Sequence, residues 1–196
     1  LAHRASVDPL EYRLALLKDQ PRHAAVLKLA AEKAGWGKKL PQGHYHGIAV
    51  QQSFGSIVAE VAEVSIEDSP RIHRVVAAVD CGLVVHPDTA AQQVESGIIY
   101  GLTAALYGEI SIENGAVVQT NFTDYEMLHL SECPEIEVHF VDSDAPIGGL
   151  GEPATPVVSA AVSNAIFAAT GTRIRQLPFK LHDLSQVSDK FAQAAD

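Results

Sequence analysis

The stretch that most constrains this chain is ATPVVSAAVSNAIFAAT, residues 154–170, which carries no charged side chain and follows the glycine-rich run IGGLGEP. Such a segment predicts a helix from about Thr155 to Thr170, stopped by Gly171 and buried nearly all round, because it offers water no charged face. A helix of that kind demands other layers around it. Ahead of it, Gly148, Gly149 and Gly151 open backbone conformations closed to other residues and let a ligand approach the main chain. Glu152 therefore stands where a permissive loop enters a buried helix. Two uses for its carboxylate follow. It can cap the helix by accepting from free N–H groups. It can also serve as a general base, with burial opposing ionisation and the positive helix end favouring it. The residues leave both readings open. A phosphate-binding P-loop is disfavoured, since no Lys-Ser/Thr pair follows the glycines.

Upstream, Asp8-Pro9 begins a helix with Leu10, Leu14 and Leu17 on one face, and Pro21 opens a second that runs to Gly35. This hairpin and the GWGKKLP linker form a leading unit, residues 1–40, ahead of a main domain over residues 41–196. From His44 the period changes. Two β-like runs lie around 48–52 and 56–66, with Glu60 and Glu63 the only charges in the second. IEDSP is a turn, and IHRVVAAVDCGLVV reads as one buried strand. Pro87 starts a long helix to about Gly108, Asn114-Gly115 marks a tight hairpin turn, and residues 135–142 form another strand. Strands and helices mix without a strict βαβ rhythm, so the expected class is α+β.

With 196 residues, 47% hydrophobic and 19% charged, the chain can bury a real core. A net charge of -10 argues against a nucleic-acid partner. Cys81 and Cys133 are too few for an iron–sulfur cluster, and Cys81 reads as a small core residue. No apolar run is long enough to span a bilayer. The start, without Met or leader, reads as part of a longer polypeptide. His44 and His46 share a strand face but lack further ligands, so they read as satisfied polar groups and no metal-ligating residue is assigned. Asp142 and Asp144 read as solvated turn residues. Gln93, Gly97, Gly101 and Ala105 form one helical stripe, suited either to a flat cofactor or to tight packing of a second helix. Gln92 points elsewhere.

GGLGEPATPVVSAAVSNAIFAATGTRIRQLP resembles the C-terminal signature of the large molybdenum-binding subunit in the xanthine oxidase family of molybdenum hydroxylases, in its isoquinoline 1-oxidoreductase and aldehyde oxidase branch. VDPLEYRL, AEKAGWGKKLP, SFGSIVAEVAEVSI, VVAAVDCGLVVHPDTAAQQVESGIIYGLTAALYGEI and NFTDYEMLHLSECPEIEVHF resemble that subunit in the same order, over almost the whole chain. The resemblance implies the C-terminal molybdopterin-binding domain of that subunit. It makes Glu152 the catalytic base, Gln93 a hydrogen-bonding partner of the pterin, and Gly149 and Gly151 part of the loop against the cofactor. The cofactor it implies is molybdopterin in its cytosine dinucleotide form, whose dithiolene holds the molybdenum. The reaction it implies is hydroxylation of an electron-poor carbon in an N-heterocycle or aldehyde, with water as oxygen source. The implied partners are the remainder of the large subunit and a small subunit with 2Fe–2S clusters, in the bacterial cytoplasm or periplasm. Two departures stand out: His86 where the family often has Asn, and Ser96-Gly97 where it often has Gly-Gly. The competing readings are a non-catalytic structural fragment that binds no cofactor alone, and an unrelated α+β module in which GGLGEP is only a helix cap.

Overall fold

In chain order the elements are helices α1 (Pro9–Leu16) and α2 (Pro21–Ala34), strands β1 (His44–Ser53), β2 (Ser56–Ile66) and β3 (Pro70–Asp80), helix α3 (Pro87–Leu106), the short strands β4 (Ile112–Glu113) and β5 (Ala116–Val117), strand β6 (Glu135–Phe140) and helix α4 (Thr155–Thr170). The computed structural model describes residues 1–67 and 69–184. Asp68, in the turn expected at IEDSP, and the end of the 41–196 unit lie outside the described residues. β1, β2 and β3 form an antiparallel meander in which Glu60 stands between Ala49 and Ala77. β6 then adds parallel to β3, giving the order β1-β2-β3-β6. Parallel pairing requires a crossover, and α3 with the β4–β5 hairpin lies within it. The mixture of helix and strand matches the expected α+β class.

The strand period of two sends alternate residues into two cores. Ile57, Ala59 and Val61 of β2, with Val76 and Ala78 of β3, meet Val26, Leu27 and Ala30 of α2. Val58, Ala62 and Val64, with Val75, Ala77 and Val79, meet the apolar sides of α3 and α4. Glu60 falls on this second face. It is fully buried, and neither carboxyl oxygen has a hydrogen-bond partner among the described residues. Burial pushes its carboxyl well above the usual range.

Four expectations change. First, α4 is not buried all round. Its Val and Ile residues are buried, but Pro156, Ala160 and Ala168 are exposed. These side chains are small, so the charge-free outer stripe leaves little apolar area in water. Second, the strand expected across residues 72–85 stops at Asp80. Gly82, with φ +72, turns the chain, and Leu83 and Val85 emerge 66% and 80% exposed. Third, GWGKKLP is anchored, since Trp36 stacks on His46 with ring centroids 5.8 Å apart and its indole donates to Asp8 at 3.1 Å. Fourth, the small-residue stripe of α3, read as suited to one occupant or the other, packs on α4 and also lines a cavity. A Cβ at Gly101 would lie 2.3 Å from the Thr155 carbonyl oxygen, and one at Gly97 would lie 3.3 Å from Ala154 Cβ. The start of α4 thus sits against the stripe, while Gln93, Gly97, Gly101 and Ala105 also border an open cavity.

Candidate active site

The glycine loop is fastened to the turn between β1 and β2. Gly148 N–H donates to the Cys81 carbonyl at 2.9 Å, and Gly149 N–H donates to the Phe54 carbonyl at 2.8 Å. The buried Ser56 hydroxyl donates to the Gly149 carbonyl at 2.7 Å. A Cβ at Gly148 would lie 2.4 Å from Ser56 Oγ, so only glycine permits this approach. The loop glycines thus serve contact with the protein's own turn. Gly151 differs: nothing lies within 4 Å of where its Cβ would stand, and its carbonyl accepts from Gln93 Nε2 at 3.0 Å.

Below this clamp lies an ion pair that the sequence does not reveal. Arg22 of α2 grips Asp80 with Nε–Oδ2 2.7 Å and Nη2–Oδ1 2.9 Å, and its Nη2 lies 3.5 Å from the Gly55 carbonyl. Hydrogen bonding to Arg22 holds the Asp80 carboxyl below the usual carboxylate range, aided by Gly82 N–H at 3.2 Å. The end of β3, the turn and the loop are thereby held as one unit.

The loop opens on a cavity of about 710 Å³, lined among others by Phe54, Gln93, Ser96, Tyr100, Glu152 and Leu177. Gln93 and Glu152, the two side chains singled out from sequence, therefore face one space. The side chain of Glu152 is exposed and makes no hydrogen bond among the described residues. The N-cap of α4 is Ala154, without a side-chain cap bond. Glu152 helps the helix start only through its carbonyl, which accepts from Thr155 N–H at 3.0 Å. Capping is not what its carboxylate does.

The departure at His86 has a local explanation, since its Nδ1 accepts from Thr89 N–H at 3.2 Å and caps α3. An imidazole thus does there what an Asn side chain does at other helix starts. Ser96 lies on the cavity wall. His44 bonds Glu63 at 2.6 Å and stacks on His73 at 4.1 Å, while His46 lies 3.7 Å from Glu63 with its proton affinity lowered by burial. Among the described residues no group of three or more His, Cys, Asp or Glu side chains is placed to hold a metal. Cys81 is buried, both cysteines are free, and burial pushes the Cys81 thiol up. Asp142 and Asp144 are exposed. Sequence reasoning missed Phe54, Ser56, Arg22 and Asp80. Ser-Phe-Gly-Ser between two β-like runs hints at the turn, but nothing local joins Arg22 to Asp80.

The molybdopterin cofactor-binding domain family matches residues 17–134, a span that includes Gln93 and ends before Glu152. The isoquinoline 1-oxidoreductase subunit beta of Brevundimonas diminuta is 36% identical over 186 residues, 92% of this chain and 24% of that protein. The membrane-bound aldehyde dehydrogenase (pyrroloquinoline-quinone) of Gluconacetobacter polyoxogenes is 35% identical over 206 residues, 94% of this chain and 27% of that protein. Among solved structures, quinoline 2-oxidoreductase from Pseudomonas putida 86 superposes with a TM-score of 0.56 at 25% identity, over 63% of this chain and 17% of that one. CO dehydrogenase from Oligotropha carboxidovorans shares the fold, with a TM-score of 0.57 at 21% identity over 71% of this chain and 19% of that one. The chain thus spans about a quarter of the length of the curated relatives it matches. It belongs to the molybdopterin cofactor-binding domain family.

Proposed function

We propose that this chain supplies part of the active site of a molybdenum-dependent hydroxylase, with Glu152 as the general base. One observation carries the reading: Glu152 shares a cavity with Gln93 and presents to it a carboxylate that no described residue engages. The cavity volume of about 710 Å³ suits a small-molecule or cofactor site. The residues present fit a pterin. Gln93 lines the cavity and spends one N–H on Gly151, its amide oxygen making no hydrogen bond among the described residues, while Gly151 leaves its own surroundings clear. Gly149 anchors the loop, since both of its main-chain polar groups are engaged by the turn. Gln93 would hold the pterin edge by hydrogen bonding, with the metal carried by the dithiolene of the cofactor.

When bound, the molybdenum centre in its cytosine dinucleotide cofactor supplies two-electron oxidation and delivery of a water-derived oxygen to carbon. The part of this chain is proton management. Glu152 would accept a proton on a carboxylate oxygen, as a general base beside the reacting centre. Fixing its loop at Gly148, Gly149 and Gly151 limits the motion of the base and so favours a productive geometry. The substrate class is an electron-poor carbon of an N-heterocycle or aldehyde. The remainder of the large subunit completes the site, and electrons leave through 2Fe–2S clusters on a small partner subunit. The chain by itself should not turn over.

The test is Glu152→Gln in the complete subunit. Molybdenum content should be retained while turnover falls at least ~100-fold, the scale of losing a general base. Near-normal turnover in a molybdenum-loaded variant would remove Glu152 from the mechanism.

A further inference from the structure

Phe54 occupies a backbone position that disfavours it. Its φ is +51, in the left-handed region where a bulky side chain is an outlier, and Gly55 follows at +80. The same chain makes the same pair of φ values at Asn114-Gly115, with the residue type that suits them. Turn geometry therefore gives no reason for phenylalanine. Core packing gives none either, because Phe54 is 67% exposed. What its ring does meet is the cavity that holds Gln93 and Glu152, whose wall also carries the exposed Tyr100 and Leu177. The Phe54 carbonyl and the Ser56 hydroxyl clamp Gly149 from both sides, so the backbone that carries the ring is fixed beside the loop of Glu152. Strain that neighbouring contacts sustain at the wall of a site is the pattern of a functional constraint.

We propose that Phe54 is a substrate-contacting, specificity-determining residue whose ring, with that of Tyr100, forms an apolar wall selecting substrates with a flat aromatic body. The inference rests on the reading of the Glu152 cavity as the reaction site. An aromatic substrate gains offset or edge contacts with these rings while its reacting carbon faces the base. A short aliphatic substrate has no body to place there.

The test uses the complete, molybdenum-loaded enzyme carrying Phe54→Asn or Phe54→Leu, with benzaldehyde and isoquinoline as aromatic probes and acetaldehyde as the aliphatic one. In Phe54→Asn, KM for the aromatic probes should rise about tenfold while kcat changes less than about threefold, the scale of losing apolar pocket contact. KM for acetaldehyde should hold, and Phe54→Leu should fall between. Molybdenum content should be unchanged, and Tm should stay or rise, because Asn tolerates the left-handed angle better. Unchanged aromatic KM overturns the proposal. So does loss of molybdenum, which would make Phe54 a cofactor contact, or a wild-type enzyme without preference for the aromatic probes. Glu152→Gln measured beside it should lower kcat for every probe without the Phe54 pattern in KM, so failure of the base and failure of the wall leave different signatures.

Discussion

Two tight turns in this molecule share φ values of +51 and +80 yet are built on opposite logic. At Asn114-Gly115 the flanking strands are two residues each, their side chains are exposed, and nothing lies within 4 Å of an added Cβ at Gly115. There the local preference of Asn and Gly is the main thing shaping the turn. At Phe54-Gly55 the flanking strands pair from His44↔Ser65 through to Ser53↔Ser56, and the glycine loop locks onto the turn from outside. A non-glycine residue in the left-handed region costs ~1–2 kcal/mol. A long ladder and a second loop can sustain that cost. Local chemistry decides a turn only where tertiary contacts do not, and an over-determined turn is free to carry a side chain chosen for something else.

The sharpest way to break this comparison is to add one methyl group beside each turn. In Gly148→Ala the new Cβ would stand 2.4 Å from Ser56 Oγ and 2.7 Å from the Gly55 carbonyl carbon, so the clamp must open. The expected loss is about 3 kcal/mol of unfolding free energy in urea titrations, the upper range for overpacking. Gly115→Ala meets no neighbour and should lose only about 1 kcal/mol, through its φ of +80. Equal losses would mean that the first turn is no better anchored than the second.

A smaller effect is expected from Asn114→Phe, which moves the unfavourable residue to the turn without a clamp. It should cost about 1 kcal/mol in the same titration, with no change in the chemistry of the Glu152 cavity. The smallest effect comes from acid. Bonding to Arg22 lowers the proton affinity of folded Asp80, so its stabilisation is complete above the unfolded carboxylate value near ~4 and disappears as pH falls through the lower folded value. Since Arg22 also reaches the Gly55 carbonyl, acid should loosen the first turn selectively. Hydrogen-exchange protection of the Gly149 amide should fall relative to that of Val118, which bonds Ser111, as pH drops below about 4. A constant ratio would show that the ion pair does not support the turn.

The same contrast explains what could be read from the residues. The α4 segment, its stop at Gly171 and the Asn114-Gly115 hairpin were legible because each is a local preference that nothing overrides. Glu152 and Gln93 were legible as candidates, and the cavity they share follows from the fold. The Phe54 turn was not announced, because its sequence contradicts its geometry. Arg22–Asp80 was invisible because the partners come from α2 and the end of β3, far apart in sequence. The stripe on α3 left two occupants open, and only the fold shows that it both meets the start of α4 and borders a cavity. Leu83 and Val85 continued an apolar run that Gly82 breaks, so pattern alone carried the strand too far.

The parallel pairing of β6 with β3 has a kinetic consequence. β1, β2 and β3 zip together through short turns, whereas β6 reaches its place only after everything from Cys81 to Pro134 has been looped out. Closing that loop carries an entropic cost that the meander does not share, so the three-stranded platform has a head start in folding. The segment bearing Glu152 follows β6 in the chain and docks against a β1–β2 turn that can already be in place. Assembly of Glu152 into its cavity is thus tied to the pairing in the sheet that spans the longest loop.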